Sequence, residues 1–155
     1  MKNISKYLLC FLVLFFLFSC YSNSNNFKKE FKTHVNDCNE ILFDGDELHP
    51  SYAFLKNGKI KGIELNQNPE CGKVVSRYFA DKDEHIYKII VERDFYSDHC
   101  GIPFDSIYVL ETKNRKIKVY TNSTGGTEII NDLFIEKYQI DINNYKQEIK
   151  NWHNR

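Results

Sequence analysis

The stretch KVVSRYFADKDEHIYKIIVE, residues 73–92, decides the fold. It contains two runs rich in β-branched and aromatic residues, Val74–Phe79 and Ile86–Val91, which are separated by a charged tip, Asp81–Glu84. Such runs on either side of a polar tip are typical of an antiparallel hairpin. We therefore predict that these residues form the central hairpin of a β-sheet.

The second strand of this hairpin has apolar residues on both of its faces. Tyr87, Ile89 and Val91 are predicted to lie on one face, and Ile86 and Ile90 keep the other face partly apolar. An antiparallel strand with one solvated face would alternate apolar and polar residues more strictly. The sheet is therefore expected to pack one face on helices and to have its other face partly covered.

Two further hairpins are predicted on either side of the central one. In YAFLKNGKIKGIEL, Asn57-Gly58 lies between strand-like runs, and this dipeptide suits the positive-φ positions of a two-residue type I′ turn. In FDSIYVLETKNRKIKVY, the tip Thr112–Arg115 joins Ile107–Leu110 to Ile117–Tyr120. All three hairpins have a lysine or histidine directly before an isoleucine, at Lys59-Ile60, His85-Ile86 and Lys116-Ile117. The sequence therefore predicts a β-meander of about six antiparallel strands.

Helical spacing is found before and after the predicted strands. The first helix, which Ser24–Asn26 are able to cap, has its apolar positions at Phe27, Phe31, Val35, Cys38 and Leu42. Ile130–Tyr138 predicts a short helix, and Asp141 is a suitable N-cap for another. The apolar stripe of that last helix is Ile142, Tyr145, Ile149 and Trp152. The predicted fold class is α+β, an antiparallel meander with an N-terminal helix and one or two C-terminal helices.

The charge balance argues against a nucleic-acid partner. The chain has 155 residues, with 21 lysines and arginines against 21 aspartates and glutamates. Without a basic excess there is little charge to neutralise phosphates, so no nucleic-acid partner is expected. The length is that of one domain with a leader removed.

The N-terminus has the pattern of an export signal. Residues 1–6 contain two lysines and no acidic residue, and the twelve residues of Tyr7–Phe18 are all apolar or aromatic. A membrane-spanning helix needs about 20 apolar residues, so this run is too short to be one. A basic start and a short apolar run with small residues after it indicate a signal peptide, residues 1–19.

Leu17-Phe18-Ser19-Cys20 resembles the lipobox of bacterial lipoproteins, although Phe18 is bulkier than the usual residue at its position. The resemblance implies that the leader is cut before Cys20 and that a diacylglycerol is attached to its thiol. It also implies that the protein is exported and anchored to a bacterial cell membrane. Residues 20–26 are then a flexible polar tether, and residues 27–155 are a single α+β domain. Cleaved secretion without a lipid and an uncleaved anchor are the alternatives.

The other cysteines of the mature chain are odd in number: Cys38, Cys71 and Cys100. Cys38 lies on the apolar stripe of the predicted first helix and is expected to be a small buried residue. Cys71 and Cys100 each precede a glycine, and an exported location permits a disulfide between them. If the central hairpin pairs about Lys82–Asp83, residue 71 lies opposite residue 94, so the loop that holds Cys100 must fold back to reach Cys71.

One loop groups four possible metal ligands, Asp94, Asp98, His99 and Cys100. A zinc motif would add a Cys-x-x-Cys pair or a second histidine in helical register, and the sequence has neither. We therefore interpret the segment as a polar loop and predict no metal and no cofactor. DGDELH, residues 44–49, lacks the downstream glutamate of a calcium loop and is interpreted as a solvated turn.

Motifs for catalysis or phosphate binding are not found in the sequence. It contains no Gly-x-Ser-x-Gly elbow. STGGT, residues 123–127, lacks the lysine of a phosphate loop, so a hinge is the preferred interpretation. Five tyrosines of the predicted strands are candidates for a recognition surface, although tyrosine also suits strands in general: Tyr52, Tyr78, Tyr87, Tyr108 and Tyr120.

The sequence therefore favours a lipid-anchored cell-envelope protein that is not an enzyme and that binds another protein or envelope component. The alternative is a small inhibitor or immunity protein that acts on an envelope hydrolase. In that case the loop NPECG (68–72) or DHCGIP (98–103) would project into the cleft of the hydrolase. An envelope enzyme that uses the Asp94–Cys100 cluster is a third hypothesis.

Overall fold

The structure, a computed structural model, describes residues 19–45, 49–96, 99, 105–121, 136, 138, 140 and 142–154. Its elements in chain order are helix α1 (Ser19–His34), strands β1 (Glu40–Asp44), β2 (Ser51–Lys56), β3 (Lys59–Gln67), β4 (Gly72–Ala80), β5 (Ile86–Phe95), β6 (Asp105–Glu111) and β7 (Lys116–Thr121), helix α2 (Ile142–Glu148), a 3₁₀ turn (Ile149–Asn151) and strand β8 (His153–Asn154). None of the helices within these residues combines the length and the apolar character needed to cross a bilayer.

The strands form one eight-stranded sheet in the order β7-β6-β5-β4-β3-β2-β1-β8, and its neighbouring strands are antiparallel. Strands β2 to β7 are the three predicted hairpins, so the predicted antiparallel meander is confirmed. Asn57 and Gly58 have φ angles of 53° and 75°, as the predicted type I′ turn requires. The strand count is larger than predicted because β1 and β8 extend the sheet at one edge.

The C-terminal end of α1 differs from its prediction. The helix ends at His34, so Cys38 and Leu42 do not belong to its apolar stripe, and the expectation that they do is wrong. Leu42 lies in β1, opposite Ala53 of β2, and its side chain is buried in the core. Pairing with β2 satisfies the backbone N–H and C=O groups that a longer helix would have satisfied internally, which is why the apolar spacing alone was misleading.

The N-terminal end of α1 also differs. The polar residues 20–26, predicted to be a flexible tether, are helical, so Ser24–Asn26 lie inside the helix and do not cap it. Starting a helix is costly, but extending one that already exists is not. Once the apolar second half of the helix is packed on the sheet, polar residues can therefore extend it toward its N-terminus. The division into leader, tether and domain stays a prediction, since residues 1–18 lie outside the described part of the chain.

A β-bulge in the central hairpin changes the faces of two residues. The register shifts between Phe79, opposite Lys88, and Ala80, opposite Ile86, which leaves Tyr87 as the extra residue. Ile86 therefore packs on the face that was predicted to hold Tyr87, and the Tyr87 ring lies 6.2 Å from the Phe79 ring on the opposite face. The predicted faces of Ile86 and Tyr87 are wrong because a bulge breaks the simple two-residue alternation.

Each face of the sheet is covered by a helix. The α1 face has as its buried residues Phe79, Ile90, Ile107 and Val109 of the sheet together with Phe31 and Val35 of the helix end. The α2 face, covered by α2 and the 3₁₀ turn, has as its buried residues Leu42, Ala53, Leu55, Ile60, Ile63, Val74, Tyr78, Ile89, Val91, Tyr108, Leu110 and Ile149. Two covered faces agree with the apolar residues that the sequence places on both sides of β5.

Helix α1 comes close to the sheet at Gly62 of β3. A Cβ atom at this position would lie 2.7 Å from Cγ1 of Val35 and 3.0 Å from Cε2 of Phe31. Carbon atoms in favourable contact are about 3.5–4.0 Å apart, so a larger residue would push the helix away. Gly62 therefore helps to set the position of the end of α1, where His34 lies.

The last predicted helix is confirmed over Ile142–Glu148. Trp152 lies beyond the helical residues, but its ring packs edge-to-face on Tyr145, with 6.2 Å between the ring centroids. This contact holds the chain where it turns into β8. Glu136 and Tyr138 are helical, whereas Asp141 and the other residues of 130–138 lie outside the described residues.

Candidate binding cleft

A cleft of about 690 Å³ opens between the end of α1 and the tips of the β2–β3 and β4–β5 hairpins. We call it the lysine cleft, and its lining residues are His34, Lys56, Asn57, Lys59, Ile60, Lys61, Ala80, Asp81, Lys82 and Tyr87. Four lysines and one aspartate thus surround an opening of the size that proteins use for ligands. The lining combines positive charge with two aromatic rings.

The aromatic wall of the cleft is formed by His34 and Tyr87. The His34 ring lies 5.1 Å from the Phe79 ring and 5.9 Å from the Tyr87 ring, measured between centroids. His34 Nε2 donates a hydrogen bond of 2.9 Å to the Lys61 carbonyl oxygen, and because a carbonyl only accepts, this nitrogen carries the hydrogen. Tyr87 is 41% exposed, and burial raises the pKa of its hydroxyl, so the ring stays neutral.

One side of the cleft is partly neutralised by Asp37, which follows α1. Lys56 Nζ lies 2.5 Å from Asp37 Oδ2, and Lys61 contacts Asp37 Oδ1. These two hydrogen bonds hold the pKa of the Asp37 carboxyl well below its usual range. Two lysines thus converge on one carboxylate at the rim of the cleft.

The other side of the cleft carries two lysines without a salt bridge. Lys59 Nζ donates a hydrogen bond of 3.3 Å to the backbone carbonyl oxygen of Lys82, and both residues line the cleft. The carboxylates of Glu84 and Asp81 act on Lys59 and Lys82 at longer range. In the part of the chain that the structure describes, neither Lys59 nor Lys82 forms a salt bridge. These two ammonium groups are therefore available to an anion from outside.

The β4–β5 tip is ordered by its own aspartate. Asp81 Oδ1 accepts hydrogen bonds from the backbone N–H of His85 (3.0 Å) and of Asp83 (2.8 Å), and these bonds lower the pKa of the Asp81 carboxyl. Asp81, Asp83 and His85 have possible metal-ligand atoms within 4.8 Å of one another, and all three residues are exposed. The turn itself accounts for the position of Asp81, so we derive no metal site from this group.

Glu84 joins the two hairpin tips to α2. Its Oε1 accepts a hydrogen bond of 2.9 Å from the backbone N–H of Ile60, and its Oε2 pairs with Lys146. The Glu84 side chain is only 11% exposed, and its backbone φ is +63°. Because Ile60 follows Lys59, this contact also fixes the strand end from which Lys59 extends into the cleft.

The Glu84 contact predicts a pH dependence of stability. Burial alone would raise the pKa of the Glu84 carboxyl, but Lys146, the Ile60 N–H and Lys59 together lower it. Because the Glu84 pKa is lower in the folded than in the unfolded state, its ionised form adds to the free energy of unfolding at pH values above the unfolded-state pKa of about 4.3. This contribution is lost as the pH falls through the folded-state pKa. In urea unfolding at stepwise pH, wild type should therefore lose more stability below about pH 5 than Glu84→Gln.

Asp83→Asn is the matched control for this measurement, because Asp83 lies exposed in the same tip. Its stability should follow the pH profile of the wild type. Parallel profiles for wild type and Glu84→Gln would show that the Glu84 contacts do not couple folding to protons.

Of the four residues predicted as possible metal ligands, the structure describes Asp94 and His99. Asp94, exposed near the end of β5, is opposite Lys73 and Asp105, and His99 is also exposed. Asp98 and Cys100 lie outside the described residues, so a cluster of the four remains a sequence-based hypothesis. Residues 46–48 of DGDELH and all of STGGT also lie outside them.

The cysteines are described in part. Cys38 is a free, half-buried thiol in the loop after α1, and burial raises its pKa. Cys71 is disulfide-bonded, but Cys100 and the Cys20 side chain lie outside the described residues, so the pair Cys71–Cys100 stays a prediction. Residue 94 was predicted to lie opposite Cys71. The observed register of β4 and β5 places Tyr96 there, and the Tyr96 N–H donates a hydrogen bond of 2.8 Å to the Cys71 carbonyl oxygen.

The predicted tyrosine surface is not formed as a whole. Tyr78 and Tyr108, 3% and 0% exposed, are buried on the α2 face, so these two candidates are not part of a recognition surface and fit the alternative that tyrosine suits strands. Tyr52 and Tyr120 are half-buried on the α1 face, where they pack on Phe54 and Phe27. Of the five, Tyr87 is the one that lines the cleft.

The lysines of the cleft were missed by the sequence reasoning. Lys59 belongs to the repeated lysine- or histidine-isoleucine pair of the hairpins, and this repeat does not by itself indicate a site. The run Lys56, Lys59, Lys61 around a tight turn was the available signal, because a two-residue turn brings both strand ends to one rim.

Comparison of the chain with protein-family models, with curated proteins and with solved structures finds no match.

Proposed function

We propose that the chain is a lipid-anchored cell-envelope protein whose domain binds another envelope protein through the lysine cleft, without catalysing a reaction. The observation that carries the binding role is a pair of cleft lysines, Lys59 and Lys82, which form no salt bridge within the described residues and lie beside the rings of His34 and Tyr87. Exposed charge steers and selects a partner, and aromatic surface supplies contact area. The lipobox-like Leu17–Cys20 supports the anchoring role.

The position of the cleft suits a partner in the envelope. Helix α1 includes Cys20 and ends at His34 in the wall of the cleft. At a rise of about 1.5 Å per residue, the fourteen steps from Cys20 to His34 correspond to about 21 Å. With the lipid on Cys20, a helix of this length connects the membrane to the wall of the cleft.

Two readouts from living cells test this proposal. A radioactive fatty acid should label the wild type and not Cys20→Ser. A photo-crosslinking amino acid at position 82, in the cleft, should capture an envelope protein, whereas the same residue at position 73, exposed at the far end of β4, should not.

Each half of the proposal can fail separately. Label on the Cys20→Ser protein would reject the lipid anchor, and absence of a position-82 adduct would reject the binding role. An envelope hydrolase in the adduct would identify the alternative, an inhibitor or immunity protein.

A further inference from the structure

We infer that the lysine cleft binds an acidic, extended segment of a partner protein, with carboxylates on Lys59 and Lys82 and an apolar side chain on the His34–Tyr87 wall. The inference rests on the proposed binding function and adds the chemistry of the ligand. Two other lysines of the cleft, Lys56 and Lys61, already pair with a carboxylate, that of Asp37.

The arrangement around Asp37 is an internal example of the proposed contact. Lys56 and Lys61 reach the same carboxylate from two strands of one hairpin. Lys59 and Lys82 line the same cleft from two neighbouring hairpins, and Lys59 Nζ donates a hydrogen bond of 3.3 Å to the Lys82 backbone carbonyl. In the described residues neither lysine has a carboxylate within salt-bridge distance, so acidic side chains from a partner would pair with them.

A second groove continues the cleft along α1. It has a volume of about 470 Å³ and shares His34 and Tyr87 with the lysine cleft. Lys29 and Glu30 line this groove, so its positive and negative charges balance. The lysine cleft, in contrast, has an excess of positive residues in its lining. A peptide in extended form would therefore place its acidic residues at the hairpin tips and less charged residues beside α1.

An acidic peptide fits better than the headgroups of anionic lipids. The lipid proposed on Cys20 lies about 21 Å along α1 from the cleft, so headgroups next to that lipid do not reach Lys59 and Lys82 when the helix stands away from the bilayer. The cleft is also concave and has an aromatic wall, which suits a side chain more than a flat surface.

Binding of a synthetic peptide to the full-length protein in detergent tests this inference. The probe is a fluorescent peptide with glutamates on both sides of one phenylalanine, and its control has glutamines in their place. We expect the glutamate peptide to bind and the control peptide not to. Lys59→Gln/Lys82→Gln should raise the Kd about tenfold, and added salt should reduce the difference.

Matched variants separate the cleft from general charge. Lys73→Gln/Lys113→Gln removes two exposed lysines outside the cleft and should leave the Kd within about twofold of wild type. Asp37→Asn should lower the Kd, because it releases Lys56 and Lys61 for the peptide. Thermal unfolding of each variant shows whether it is folded.

Equal Kd values for the two lysine pairs, or no binding of the glutamate peptide, would overturn the inference. Binding to vesicles with phosphatidylglycerol that needs Lys59 and Lys82 would overturn it in favour of a lipid ligand. A position-82 crosslink in cells without peptide binding would reject the acidic ligand and keep the proposed function. Peptide binding without that crosslink would reject the cellular role and keep the ligand chemistry.

Discussion

Replacement of Arg77 by methionine is expected to lower the free energy of unfolding by about 3–5 kcal/mol, because it removes the buried guanidinium that pairs with two mostly buried carboxylates. The Arg77 side chain is 5% exposed on the α1 face. Its Nε lies 2.6 Å from Glu64 Oε2, and its guanidinium also pairs with Glu92. Without the guanidinium, the negative charges of β3 and β5 would have no positive charge of β4 between them. Urea unfolding followed by circular dichroism at pH 7 measures this loss.

Two controls define the cause of the Arg77 effect. The triple variant Glu64→Gln/Arg77→Met/Glu92→Gln removes all three charges and should recover most of the stability, since a neutral set replaces two carboxylates that have lost the Arg77 guanidinium. Lys88→Met removes an ion pair with the exposed carboxylate of Glu30 on the same face and should cost under about 1 kcal/mol. Equal losses for Arg77→Met and Lys88→Met would show that the buried ion pairs have no special role.

Phe31→Ala is the second substitution with a large expected effect, about 3–5 kcal/mol of unfolding free energy. Phe31 is 2% exposed and makes edge-to-face contacts with Phe54 and Phe79, at 5.5 Å and 5.2 Å between ring centroids. Its loss would leave a cavity where α1 lies on the sheet, and the end of the helix that holds His34 would lose its support. Urea unfolding gives the stability.

Phe31→Leu and Phe27→Ala are the controls for this prediction. Leucine keeps most of the apolar volume and should cost under about 1.5 kcal/mol. Phe27 is only half-buried against Tyr120, so its truncation should cost less than that of Phe31. If Phe31→Ala cost no more than Phe27→Ala, the docking of α1 would not depend on Phe31.

The hairpins are predictable from the sequence because their signals are local. Asn57-Gly58 has the backbone preferences of a type I′ turn, and the apolar runs around Asp81–Glu84 have the composition of strands. Neither signal requires knowledge of residues far away in the chain. Strands β2 to β5 follow from these two signals.

The errors concern features that depend on distant residues. Leu42 fits a helical stripe and a strand equally well, and pairing with β2 decides between them. The bulge that turns Tyr87 to the α1 face is a property of the β4–β5 pair and not of either strand alone. Tyr78 and Tyr108 could not be assigned to the interior before the covered faces were known.

The cleft was hidden for the same reason. His34, Lys59 and Lys82 are 25 and 23 residues apart in the sequence and meet only when α1 and two hairpins have taken their places. Within each segment a single lysine or histidine resembles an ordinary solvated side chain. The positive charge indicates a binding site only when α1 and the two hairpin tips are seen to line one cleft.

The start of α1 at Ser19 has a mechanical consequence for the anchored protein. With the lipid on Cys20, as proposed, a helix packed on the sheet replaces a random-coil connection between membrane and domain. A helix resists bending over its length, so its rigidity limits the distances from the lipid at which the domain can be held more than a random coil would. A partner that presents its acidic segment within those distances would meet the cleft at a raised effective concentration, whereas one held closer to or farther from the lipid would rarely engage it.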